Sequence, residues 1–299
     1  MGQNKKRKKK KKMTVGTVVR LIILIVALVV FVISAVKLYG IFHDYQKTDR
    51  DYGELAETYT TPLAPEEQSL PDILEPVIIN GEAQVTEDAP VPLQVDFDKL
   101  KALNPDIIGW IYMEALPSVS YPVVQGTDNA YYLNHTFKHD DLFSGSIFMD
   151  YQNSADFSDP VTFIYGHNMR NGSMFGMLSA MEKAENMEKS PYFWLLTPEG
   201  NYRYHIFALM STLADGETYT LFSAPGQNVV EWAQHMKQQS EKADDVDFSM
   251  YDKHVVLSTC NGNDATRFVI IGKCVSTQRP PEKALIADTG ITPETEAAQ

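Results

Sequence analysis

Three side chains that together could carry acyl transfer stand where extended segments of this chain end. Residues 255–259, Val-Val-Leu-Ser-Thr, form an apolar run that turns polar and delivers Cys260. Asn261-Gly262-Asn263-Asp264 follows as strong turn chemistry, and Arg267 opens a second apolar run through Ile271. A hairpin over this stretch sets Arg267 across from Cys260. A thiolate is the working form of a cysteine nucleophile, and a neighbouring guanidinium favours it. The third member is His167, which follows the continuous apolar strand of residues 161–165 and Gly166. A rigid element there holds an imidazole at its mouth, as an acid/base group requires. Taken singly, each also has a plain reading: an inert cysteine, or a structural histidine after a strand.

The only other cysteine is Cys274. In the hairpin register it lies seven residues beyond Arg267, roughly 23 Å along the strand, and the odd count turns it to the other sheet face. A disulfide needs Cα atoms within about 7 Å, so the two should not pair. Cys274 reads as a buried small hydrophobe. His135 and His139 have i, i+4 spacing and precede Asp140 and Asp141, but no third ligand cluster or zinc-type motif joins them, and they read as a solvated turn rather than a metal site. His43, His205, His235 and His254 carry no pattern.

These groups need a scaffold, and the surrounding sequence predicts a mainly β domain. Strand-like runs rich in Val, Ile, Tyr and Phe occur at 107–112, 119–124, 146–149, 161–165, 201–212, 254–260 and 267–276, bounded by Gly, Pro, Asn and Asp. Asp96 caps a short helix ended by Asn104-Pro105, which is where the domain starts. Helical insertions are expected over 174–187 and from an Asn228 cap to about Lys242, the second with Val229, Trp232, Ala233 and Met236 on one face. That helix either walls the site or merely covers the barrel.

The net charge of −13 hides an asymmetry. Ten of the 26 basic residues lie at or before Lys37, with no acid among them, so the rest of the chain carries 16 bases against 39 acids. Residues 21–36 are apolar apart from Ser34, and joining 15–19 and 38–42 to the helix gives a span, with Arg20 and Lys37 snorkelling outward. The basic run 5–12 then predicts a cytoplasmic N-terminus and an external acidic remainder, and its position argues against a nucleic-acid patch. A cleaved signal peptide is the rival, but residues 34–37 lack a small-x-small site. The expected organisation is a basic cytoplasmic segment (1–14), a transmembrane anchor (15–42), a Pro-broken extracellular stalk (43–95) with at most a short helix near 44–59, a catalytic domain (96–278) and a disordered acidic tail (279–299).

The motifs, taken jointly, resemble those of class B sortases. Leu257-Ser258-Thr259-Cys260 with Arg267 seven residues on is similar to the family's nucleophile strand and arginine, with Leu257 departing from its usual small polar or threonine-like start. Tyr165-Gly166-His167-Asn168-Met169, followed by Gly172-Ser173-Met174-Phe175, resembles the class B histidine motif. Trp110-Ile111, Tyr121-Pro122-Val123-Val124-Gln125, Asp128-Asn129, Tyr131-Tyr132-Leu133 and residues 145–150, Gly-Ser-Ile-Phe-Met-Asp, match the same class. The resemblance runs over residues 97–276. It implies a sortase-like eight-stranded β-barrel with peripheral helices, one of them between the sixth and seventh strands, preceded here by one N-terminal transmembrane helix.

It also implies a function. Cys260 would attack the carbonyl after a threonine in a C-terminal sorting motif of a secreted protein, Arg267 would stabilise the oxyanion, and His167 would move the proton. The thioester would pass to an amine of cell-wall precursor or a pilin. Asn129, Leu133, Tyr165 and Ser258 are implied near the peptide groove, and no cofactor or metal is implied. Both Asn-Pro-x-Thr-Asn and Pro-x-Thr-Gly kinds of motif stay open. An extracellular cysteine endopeptidase would use the same residues with water as acceptor, and a non-catalytic surface binding module would leave Cys260 unreactive.

Overall fold

The computed structural model describes residues 15–63, 78–79, 82–83, 89–260 and 265–278. The basic segment 1–14, residues 64–77, 80–81 and 84–88 of the expected stalk, residues 261–264 and the tail 279–299 lie outside them. Two compact units divide the chain, residues 1–49 and 50–299.

The first unit contains most of helix α1 (Val15–Tyr59), which is long and apolar enough to cross a bilayer. Its large apolar side chains from Val15 to Phe42 are exposed. The helix does not stop at the apolar stretch. It runs unbroken through residues 44–59, where the sequence suggested at most a short separate helix, because no Pro or Gly pair interrupts it before Pro62.

The second unit is a closed barrel. Its strands are β1 (Ile107–Met113), β2 (Ser120–Val124), β3 (Ile147–Met149), β4 (Val161–Tyr165), β5 (Tyr192–Leu196), β6 (Asn201–Leu213), β7 (His254–Cys260) and β8 (Thr266–Gln278). Their order is β6-β8-β7-β4-β3-β2-β1-β5, and β5 pairs back onto β6 to close the ring, with the short strand Lys242–Ala243 added against β6. Most pairs are antiparallel, but β2–β3 and β4–β7 are parallel. The barrel is the eight-stranded architecture the motifs implied, although β5 was not foreseen. Its residues, Tyr-Phe-Trp-Leu-Leu, are a continuous apolar run with no β-branched member and no alternation, and the turn Thr197–Gly200 that joins it to β6 was the available cue.

The strand that ends at Cys260 is apolar on both faces because both are covered. Val255, Val256 and Leu257 are fully buried. Val256, with Val161 and Phe163 of β4 and Val269 and Ile271 of β8, packs under α4 (Gln227–Gln239), which contributes Val229, Trp232, Ala233 and Met236 at helical spacing. Asn228 is not the cap of this helix. Gly226 holds that position without a side-chain cap, and Ser240 ends the helix at Gln239, its hydroxyl accepting from Leu209 N–H at 2.8 Å. The other expected helix, 174–187, breaks into a 3-10 turn (Leu178–Glu182) and α3 (Ala184–Lys189), because Met174 takes a left-handed φ of 53° and Lys183 is extended. The helix capped by Asp96 is α2 (Phe97–Leu103), with the carboxylate accepting from Lys99 N–H.

Upstream of Asp96, Tyr52 and Leu55 are already buried in the barrel unit, and Thr60–Pro62 pairs with Leu93–Val95. Cys274 is half-buried rather than fully enclosed. It carries no disulfide, its thiol approaches Ser276 O at 3.6 Å, and burial pushes that thiol up.

His254, which showed no pattern in the sequence, is 1% exposed among Phe207, Trp232 and Phe248, and neither ring nitrogen has a hydrogen-bond partner among the described residues. Burial pushes it down to about 3 from 6.5, with cross-strand Lys273, itself paired with Asp252, adding in the same direction. A depressed histidine contributes stability that is complete above the unfolded value and is lost as pH falls from about 6.5 towards 3. At pH 5 the chain should therefore be roughly 2 kcal/mol less stable than at pH 7 on this account alone. His254→Leu should lack that share, and denaturation at both pH values measures it. Equal acid sensitivity in the two chains would contradict this assignment.

Candidate functional site

The pairing of β4, β7 and β8 determines what meets at the barrel mouth. The β7–β8 ladder puts Cys260 directly opposite Arg267, the hairpin register expected from the sequence. The parallel β4–β7 ladder aligns Ser258 with Tyr165, and Gly166 N–H then donates to Ser258 O at 3.1 Å. Because the strands run the same way, the chain leaves β4 towards His167 at the end where β7 reaches Cys260. Gly166 is required here. A Cβ would come within 2.4 Å of Ile147 Cδ1 and 2.8 Å of the Phe175 ring.

His167 is half-buried, and its Nε2 lies 2.7 Å from Leu133 O. A carbonyl only accepts, so Nε2 carries a proton, and Nδ1 is left as the ring nitrogen available for proton exchange. The loop after His167 folds back on it: Phe175 N–H donates to His167 O at 3.0 Å, and Met174 N–H donates to the Tyr121 hydroxyl at 2.9 Å. Arg267 is half-buried, faces Thr212 on β6 as well as Cys260, and donates through Nη1 to Thr266 O.

A cleft of about 380 Å3 opens beside these groups. Its walls include Asn129, Leu133, Tyr165, His167, Ser258 and Arg267, so six of the seven sequence-derived site residues share one cavity; Cys260 follows Thr259 in sequence and pairs with Arg267 across the ladder, and both of these line it.

Two residues hold the cleft wall without having been singled out from the sequence. Asp150, 5% exposed, accepts through Oδ2 from Asn129 Nδ2 at 2.8 Å and from the Tyr165 hydroxyl at 2.9 Å. Tyr219 shares a 2.7 Å hydrogen bond with Ser258 Oγ, and its ring lies 6.3 Å from that of Tyr165. Asp150 stood inside a quoted motif with nothing to mark it as a hub. Tyr219 lies on a 3-10 turn (Glu217–Tyr219) whose sequence has no periodic signal. Burial, then the Asp150 charge, pushes the Tyr165 phenol up, so it is a permanent hydrogen-bond donor.

His135 and His139 both attend to Tyr131: His135 stacks on its ring at 4.0 Å and bonds its carbonyl, and His139 Nδ1 lies 3.2 Å from its hydroxyl.

No family model matches the chain. Sortase B of Listeria monocytogenes is 36% identical over 180 residues, covering 59% of this chain and 73% of that protein. The crystal structure of sortase B from Bacillus anthracis in complex with AAEK1 superimposes with a TM-score of 0.61 at 28% identity, over 79% of this chain and 99% of that one. The Staphylococcus aureus sortase B–substrate complex gives a TM-score of 0.56 at 29% identity, over 60% of this chain and 84% of the other.

Proposed function

The chain belongs to the class B sortases and is a sortase-type cysteine transpeptidase, and from that premise we propose that Cys260, His167 and Arg267 carry its chemistry on sorting-motif substrates. The observation that supports the assignment most is the double register, antiparallel Cys260 to Arg267 and parallel Ser258 to Tyr165, which gathers the three residues at one mouth beside a peptide-sized cleft.

His167 Nδ1 takes the Cys260 thiol proton, and the thiolate attacks the carbonyl carbon after the motif threonine, forming a C–S bond and an oxyanion that the Arg267 guanidinium stabilises. Collapse breaks the C–N bond. The leaving amine takes a proton from His167, and a thioester remains. An acceptor amine then attacks the thioester, His167 takes its proton, and Cys260 departs as thiolate. Leu133 O holds the imidazole by Nε2, so Nδ1 is the atom that exchanges the proton in both halves. Asn129, Leu133, Tyr165 and Ser258 contact the motif, with Asp150 and Tyr219 fixing three of them in place.

The donor is a secreted protein with a C-terminal motif of the Asn-Pro-x-Thr-Asn or Pro-x-Thr-Gly kind, and the acceptor is an amine of cell-wall precursor or a pilin. Helix α1 anchors the enzyme in the cell membrane by a single pass, and the basic run 5–12 keeps the N-terminus cytoplasmic and the barrel outside. The solved sortase B–substrate complex of Staphylococcus aureus supports a motif-binding groove in this family.

The test uses the full chain in detergent with fluorogenic peptides of both motif kinds, with and without an amine acceptor. Cleavage of one peptide and formation of its amide with the acceptor is the expected result. Cleavage yielding only the free acid in the presence of amine would favour an endopeptidase, and no cleavage of either peptide would refute the motif assignment.

A further inference from the structure

The last turns of α1 lie in the barrel unit, and Tyr52, 4% exposed, is their deepest link to the site. Its hydroxyl donates to Gly145 O at 2.8 Å and lies 3.1 Å from Ser146 Oγ. Gly145 has a left-handed φ of 56°, and its Cα presses against the neighbouring backbone so closely that a Cβ would come within 2.4 Å of Tyr132 O and 2.5 Å of Leu133 O. Ser146 N–H donates to Tyr132 O at 2.9 Å, and Ser146 Oγ to His135 O at 2.9 Å. Leu133 O is the same carbonyl that accepts from His167 Nε2. The hydroxyl of Tyr52 thus holds the segment that supplies the histidine's acceptor.

A second tie runs through the ring. Tyr52 packs edge-on against Tyr121 at 5.6 Å and against Phe137 at 5.0 Å. Tyr121 accepts from Met174 N–H, and residues 174–175 close the loop that carries His167. One side chain therefore bears on both the loop that holds His167 and the carbonyl that orients it.

We infer that Tyr52 is a positioning residue for the transpeptidation, so that the end of the N-terminal helix is part of the active site rather than only a tether. The inference rests on the assignment of His167 as the proton-transfer group. Loss of the Tyr52 hydroxyl frees Gly145 and lets Leu133 O drift from Nε2, and the imidazole then samples the other tautomer, in which Nδ1 carries the proton and cannot accept one. The effect falls more on turnover than on peptide binding, since three of the four motif contacts, Asn129, Tyr165 and Ser258, are held by Asp150 and Tyr219, and only Leu133 shares the shift.

The experiment compares the full chain and Tyr52→Phe in detergent, with 15N-histidine labelling and His167 identified by the signal lost in His167→Gln. The expected result is a neutral Nε2–H tautomer in the unaltered chain and a mixed one in Tyr52→Phe. With it goes a kcat about three- to tenfold lower, with KM changed less than kcat, the size expected for a slightly misplaced catalytic group. Leu195→Ala, a core truncation on β5, supplies a chain of lowered thermal stability for comparison. A kcat and tautomer equal to those of the unaltered chain would overturn the inference, as would a kcat loss no greater than that of a Leu195→Ala chain equally destabilised. Full activity of His167→Gln would instead refute the site assignment, because the tautomer is read without turnover.

Discussion

Cys260→Ala abolishes both cleavage and ligation of the sorting peptide, a loss of at least about 10⁴-fold, because every covalent step passes through its sulfur. The second cysteine cannot substitute. Cys274 sits on β8 opposite Tyr204, half-buried, with its thiol directed at Ser276 O and Thr277 Oγ1 and pushed up by burial, so the thiolate that attack needs is depleted there. Cys274→Ser keeps turnover within a few-fold, whereas the Cys260 variant retains the fold, as measured by its thermal midpoint, but not the chemistry. Product chromatography of peptide, acid and amide after long incubation reads both. Residual Cys260-independent ligation would place the nucleophile elsewhere.

His167→Gln should lower kcat by about 10²- to 10⁴-fold in acylation and in transfer alike. Glutamine is the informative replacement because its amide N–H can still donate to Leu133 O, as Nε2 does now, so the loop keeps its anchor while the ring's titratable Nδ1 is lost. Stopped-flow acylation, followed by mixing the acyl-enzyme with amine, separates the two halves. Equal slowing of both fits one residue that first gives and then takes a proton. Slowing of acylation alone would assign the second transfer to another group.

Sequence patterns reached the site more readily than its supports. The two strands joined by residues 261–264 are neighbours in sequence, so the facing of Cys260 and Arg267 followed from counting along one strand and back, and the ladder has that register. The approach of His167 depends on a parallel pairing between β4 and β7, which are almost 90 residues apart; the motif pointed to it, and no local rule did. The barrel's closing strand escaped because Tyr192–Leu196 is buried on both faces and so shows no alternation. Tyr52 escaped for a different reason. It lies in a polar, acidic stretch whose composition reads as a tether, and its burial depends on Tyr121, Phe137 and Gly145, 69 to 93 residues away. Asp150 and Tyr219 are likewise defined by their partners and not by spacing. Cys274 was placed on the correct strand, but its depth was overestimated, because a β-bulge between Arg203 and Tyr204 shifts the pairing there and strict alternation no longer applies.

A thioester on Cys260 is tested most directly by peptide mapping with mass spectrometry. The full chain is mixed with a sorting peptide, quenched in acid, digested and sequenced by mass. The expected result is an adduct equal to the peptide's acyl portion up to and including the motif threonine, confined to the fragment containing Cys260 and discharged on adding amine. Turnover with no adduct there, or an adduct on Cys274, would contradict it.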